Sequence, residues 1–113
     1  MILLISAKEP NLDSPVDYRF GRSPWLIRYD TDSSQWKALE NPGASQSGGA
    51  GVAAAQFVID QSANSVISGD FGPHASEAFK AAGIDMRLFV EGVSTVKQAI
   101  EYMIGKKLPA FNK

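Results

Sequence analysis

The stretch Asn64–Phe89 reads NSVISGDFGPHASEAFKAAGIDMRLF, and its folding constrains everything around it. Asn64 to Ser68 is a short run centred on Val66 and Ile67, of strand length. Pro73 suits the first turn of a helix, where its missing N–H costs nothing. Gly83 suits the left-handed residue that ends one. A helix is therefore predicted from about Pro73 to Ala82, and Ile84 to Phe89 returns as a strand. Strand, helix and strand in succession form a crossover unit, which joins parallel neighbours in a sheet.

Outward from this unit the same grammar repeats. Ile2 to Ala7 (ILLISA) is too short for a helix and reads as a buried strand. Glu9 to Ser23 carries Pro10, Asn11, Asp13, Ser14, Pro15 and Gly21, with Pro24 beyond, and is a loop. Trp25 to Asp30 (WLIRYD) and Gln35 to Glu40 (QWKALE) flank the turn Asp30–Ser34 and should form a hairpin. Asn41 to Gly51 (NPGASQSGGAG) reads as a flexible connection of small residues. Val52 to Gln61 then forms a helix, with Val52, Ala55, Val58 and Ile59 inward. Ser94 to Ile104 forms another, with Ser94 as N-cap and Val96, Ala99, Ile100 and Met103 inward. Gly105 ends that helix, and the tail 106–113 is expected to be loose. The order β-β-β-α-β-α-β-α predicts an α/β domain over residues 1–113, a mixed sheet with helices on its faces.

Bulk composition narrows the function. The chain has 113 residues, 44% of them hydrophobic and 20% charged, with net charge −1. That balance offers no broad attraction to nucleic acid or anionic lipid. No segment reaches the ~20 apolar residues of a membrane span. The opening MILLISAKEP has too short an apolar run for a signal peptide, so a cytoplasmic protein is expected. There is no cysteine, which excludes disulfides, thiolate metal sites and thiol catalysis.

Ligands in such sheets gather beyond the carboxyl ends of the parallel strands. Three segments should meet there. The first carries Arg19-Phe20-Gly21-Arg22, where two guanidinium forks could hold an anion; equally, Phe20 could fill the core and leave the arginines solvated. The second is the connection with Gly48, Gly49 and Gly51. It lacks the Lys-Ser/Thr ending of a phosphate loop, yet its backbone could approach a ligand at the helix start, or it could be a plain linker. The third is Gly69-Asp70-Phe71-Gly72-Pro73-His74, with the only histidine of the chain. His74 falls in a first helical turn, where the dipole disfavours a cation, and neutral imidazole is the metal-ligating form. A lone exposed histidine is also ordinary surface, and one imidazole does not hold a bare metal ion. No nucleophile elbow accompanies it and no carboxylates converge, so a non-enzymatic role is expected.

These motifs together resemble the dinitrogenase iron–molybdenum cofactor family. Asp13-Ser14-Pro15-Val16 followed by Arg19-Phe20-Gly21-Arg22-Ser23-Pro24 is similar to that family's signature around F-G-R. Gly69, Gly72 and Ala75, then Ala81, Gly83 and Ile84, then TVKQAIEYMIGKKL from Thr95 to Leu108, follow in the family's order. The family includes NifX- and NafY-type accessory proteins, the C-terminal domain of NifB-type proteins and small stand-alone relatives. The resemblance implies a three-layer α/β/α fold with a ribonuclease-H-like motif. Its five-stranded sheet has order 3-2-1-4-5, with strand 2 antiparallel. It also implies binding, storage or delivery of an iron–molybdenum cofactor, a precursor or a related metal–sulfur cluster. Such a cluster brings its own sulfide, so a few contacts suffice. Arg19 and Arg22 would offset its charge, with Phe20 and Gly21 between them. Gly48, Gly49, Gly69 and Gly72 would let backbone approach, and His74 would be the metal ligand. Cofactor-biosynthesis proteins would then be partners. The alternative is a metal-free protein–protein or regulatory module on the same fold.

Overall fold

The structure is a computed structural model that describes residues 1–105; the tail 106–113 expected to be loose lies outside the described residues. The strands are β1 (Ile2–Ala7), β2 (Trp25–Asp30), β3 (Trp36–Glu40), β4 (Ser65–Ser68) and β5 (Asp85–Leu88). The helices are α1 (Ala50–Asp60), α2 (Gly72–Ala82) and α3 (Val96–Ile104). The sheet order is β3-β2-β1-β4-β5. β2 is antiparallel to both β1 and β3, while β1, β4 and β5 run parallel. The mixed sheet expected from the sequence is thus the one observed, with strand 2 antiparallel.

Alternation along β1 divides the core. Leu3, Ile5 and Ala7 face α3 and join Ile27, Tyr29, Ile67, Val96 and Ile100. Leu4 faces the other way and joins Leu26 and Val66 beneath Ala54, Ala55 and Val58 of α1 and Ala75 and Phe79 of α2. Helices therefore cover both faces, α3 on one and the α1–α2 pair on the other. This two-sided cover explains why β1 is almost continuously apolar.

Three local details differ from the sequence expectation. Residues 41–51 are not a uniform linker, because Pro42–Ser45 forms a 3₁₀ turn capped by the Asn41 side chain. Val52 is 54% exposed, while Ala50, Ala54, Ala55 and Val58 are buried. Val52 lies two positions before Ala54, so the helical period carries it almost to the opposite side. The N-cap of α3 is Thr95 rather than Ser94. Its hydroxyl accepts from Gln98 N, and the Gln98 side chain accepts from the backbone N–H of both Ser94 and Thr95. The reciprocal bonding at Thr95 is a capping box.

Candidate functional site

The site grows from the carboxyl ends of β1 and β4, where buried hydroxyls dock the first loop. The Ser6 hydroxyl donates to the Asp17 carbonyl (2.6 Å) and meets the Ser68 hydroxyl at 2.7 Å. Asp17 N–H donates back to Ser6 O at 3.0 Å. One step on, Phe20 N–H donates to Asp70 O at 3.2 Å, so the loop runs beside the turn leading into α2. The Phe20 ring is fully buried, 5.5 Å from Phe71 and 5.4 Å from Phe79. Phe20 therefore fills the core, as one of the two readings expected.

The arginines beside it behave differently from each other. Arg19 is engaged by the buried Asp17: its Nε and Nη2 reach the carboxylate at 3.2 and 3.1 Å, and its N–H at 2.9 Å. Burial alone would raise the Asp17 carboxyl. Hydrogen bonds from the Arg19 side chain and backbone, aided by the Arg19 and Lys8 charges, hold it below its ordinary value. A carboxylate lowered in the folded state adds stability above its unfolded pKa of about 3.9, and that contribution vanishes as pH falls through the lowered value. In melts taken from pH ~7 down to pH ~2, the advantage of the wild type over Asp17→Asn should therefore shrink in acid. A gap between the two curves that stayed constant with pH would exclude the pair as its source. Arg22 is exposed, and its Nη1 donates to Gln46 O across the gap to the connection before α1.

Asn41 fastens the second segment to the first. Its Nδ2 donates to Phe20 O (2.9 Å) and Ser23 Oγ (3.2 Å), and its Oδ1 accepts from Gly43 N (3.0 Å). The sequence reading missed this buried residue. Asn-Pro-Gly is nonetheless a side-chain-capped turn signal that could have pointed to it. A Cβ on Gly43 would lie 2.4 Å from Gly21 O and 2.5 Å from Ala50 O. A Cβ on Gly21 would lie 3.0 Å from Gly51 N. Only bare backbone lets the loop and the start of α1 come this close.

The third segment turns through Gly72, whose φ of +76° is left-handed. Gly72 N–H donates to Asp70 Oδ1 at 3.2 Å, and the Ser76 hydroxyl donates to Gly72 O at 2.7 Å. His74 stands at the third position of α2, and no acidic residue occupies that first turn.

These segments enclose an open cleft of about 310 Å³. Arg19, Phe20, Gly21, Arg22, Gly72 and His74 are all among its lining residues, joined by Ala50 and Gly51 of α1 and by Asp70. The other three residues singled out from the sequence sit elsewhere. Gly48 borders open space, and Gly49 is the left-handed N-cap of α1 at φ +73°. Gly69 packs beneath the Tyr18 ring, where a Cβ would lie 2.1 Å from a ring carbon. Among the described residues, no three His, Asp or Glu side chains gather as a cage for a metal ion. None of the described helices is long and apolar enough to cross a membrane.

The sequence profile of the dinitrogenase iron–molybdenum cofactor family matches residues 1–106. No curated protein matches the chain. Among solved structures, the apo form of the orange protein from Desulfovibrio gigas is similar. It is 33% identical with a TM-score of 0.83, over 96% of this chain and 92% of that one. A candidate NifB protein from Thermotoga, solved by NMR, is 27% identical with a TM-score of 0.75, over 99% of this chain and 97% of that one. A signature spread over most of the chain and a shared fold at this level of identity place the chain in the dinitrogenase iron–molybdenum cofactor family.

Proposed function

We propose that this protein binds an iron–molybdenum cofactor, its precursor or a related metal–sulfur cluster, and stores or delivers it without catalysing a reaction. The carrying observation is the convergence of two helix N-termini on one open cleft. Ala50 and Gly51 open α1 there, and Gly72 to Ala75 open α2. The first-turn N–H groups of α1 have no acceptor within their own helix. In α2, Pro73 has no N–H and Gly72 N–H is given to Asp70, so α2 brings the His74 N–H and its positive dipole end. Arg22 adds a full charge at the same opening. The arrangement suits an anion, and family membership supplies the class of anion to test.

The residues fit such cargo in a specific way. A single imidazole does not cage a bare ion, but a preassembled cluster carries its own inorganic ligands. His74 would contribute one metal contact, the helix starts N–H donors, and Arg22 a charge opposite that of the cluster. Arg19 is committed to Asp17 and serves to hold the loop.

Anaerobic titration with iron–molybdenum cofactor or tetrathiomolybdate tests this. The expected result is saturable change in the visible charge-transfer bands. His74→Ala should alter the spectrum of bound cluster, and Arg22→Ala should weaken binding by roughly tenfold, the scale of one charge-assisted contact. Absence of any spectral change, or the same change in His74→Ala, would overturn the assignment of the site.

A further inference from the structure

We propose that the open edge of β5 is a self-association surface that takes a second copy of this chain, in antiparallel pairing centred on Met86. β5 is the last strand of the sheet, and among the described residues no strand pairs with its outer side. Asp85 N–H donates to Asn64 O and Phe89 N–H to Ser68 O, both at 3.0 Å and both toward β4. In a parallel ladder alternate residues point the opposite way, so the N–H and C=O groups of Met86 and Leu88 face the open edge. Natural edges are commonly blunted by shortness, charge, proline or bulges. β5 is short and carries two charges, but it has no proline and presents Leu88 at 61% exposure beside a groove shared with Met86, Ser76 and Lys80 of the α2 side.

Charge selects both the occupant and the register. Asp85 and Arg87 lie on the opposite face from Met86 and Leu88, half-exposed, and pair with each other at 2.6 Å. A two-fold axis through the edge forces antiparallel pairing of identical strands. Centred on Met86, it sets Asp85 opposite the partner's Arg87 and Arg87 opposite the partner's Asp85. The two Met86 residues then exchange reciprocal N–H···O=C bonds, while each Leu88 comes opposite the other copy's buried Ile84, whose own N–H is already given to Phe79 O. Centring on Arg87 would set the two arginines against each other, and centring on Leu88 would set Asp85 against Glu91. Like charges directly opposite are destabilising, and unlike charges are favourable. The strand is thus self-complementary in one register. The groove beside Leu88 shares Asp70, Phe71, Gly72 and Pro73 with the cleft, but the pairing itself uses only β5, so sedimentation of the metal-free protein tests it separately from the function proposed above.

Sedimentation equilibrium from about 10 µM to about 1 mM, the range of a weak association, tests it. A reversible monomer–dimer equilibrium is expected. Arg87→Asp and Asp85→Arg, on exposed positions that leave the core untouched, should each weaken dimerisation roughly tenfold or more. Mixing the two variants in equal amounts should restore a heterodimer, because every facing pair is then opposite in charge. The double reversal Asp85→Arg/Arg87→Asp should dimerise like the wild type. A wild type that remains monomeric throughout, or single variants that dimerise as well as the wild type, would overturn the proposal.

Discussion

Gly43→Ala should lower the melting temperature by roughly 12–20 °C, the equivalent of about 3 kcal/mol or more in a domain of this size. The new methyl would lie 2.4 and 2.5 Å from the carbonyl oxygens of Gly21 and Ala50. Both obstacles are backbone, so no rotamer change relieves the clash. One belongs to the loop after β1 and the other to the first residue of α1, and the two must be pushed apart. Because Gly21 and Ala50 both line the cleft, cluster binding should fall even at temperatures where the variant stays folded. Gly48→Ala is the matched control. A Cβ there meets nothing within 4 Å, so its effect should stay within about 0.5 kcal/mol. If Gly43→Ala melted within a degree or two of Gly48→Ala, the close approach described here would not exist.

Phe20→Ala carries the second large effect, a loss of about 3–5 kcal/mol. The ring is fully buried, and its neighbours Phe71 and Phe79 stand 6.0 Å from each other, so the three rings form one mutually packed group. Truncation leaves a cavity that those stiff rings fill poorly. Phe20→Leu keeps most of the volume and should cost less than half as much. Chemical denaturation with an unchanged m-value would report the difference cleanly. Equal losses for the leucine and alanine variants would show that ring packing is not the source. Phe20 also anchors the backbone between the arginines, so the leucine variant should bind cluster less tightly while retaining most of its stability.

What the sequence disclosed, and what it hid, follows from the range of the forces involved. The strands announce themselves because ILLISA and WLIRYD are short apolar runs bounded by turn residues. Gly83 and Gly105 mark helix ends because a left-handed φ is a local requirement. The meeting of the three loops follows from topology, since parallel strands end on the same edge. Other features depend on distant partners. Asn-Pro-Gly marks Asn41 as a turn residue, but only Phe20, far away in sequence, makes it a clasp. Gly51 lines the cleft and Gly48 does not because α1 begins one residue earlier than Gly51, a boundary that small residues do not mark. Arg19 and Arg22 are equivalent by composition. Asp17, fixed by Ser6, pairs with Arg19, while Arg22 reaches Gln46 O, and both still line the cleft.

The contact between Tyr18 and Gly69 constrains how this corner can diverge. The Tyr18 side chain occupies the volume that any side chain at 69 would need, with two ring carbons and its own Cβ within 2.7 Å of the missing Cβ. A lineage that acquired alanine at 69 while keeping tyrosine at 18 would pass through a clashing intermediate. Loss of the ring at 18 must come first, and the Cβ at 18, itself 2.7 Å away, must then give before 69 can change. The two positions therefore drift as an ordered pair, and the sequence of substitutions is imposed by volume rather than by chemistry.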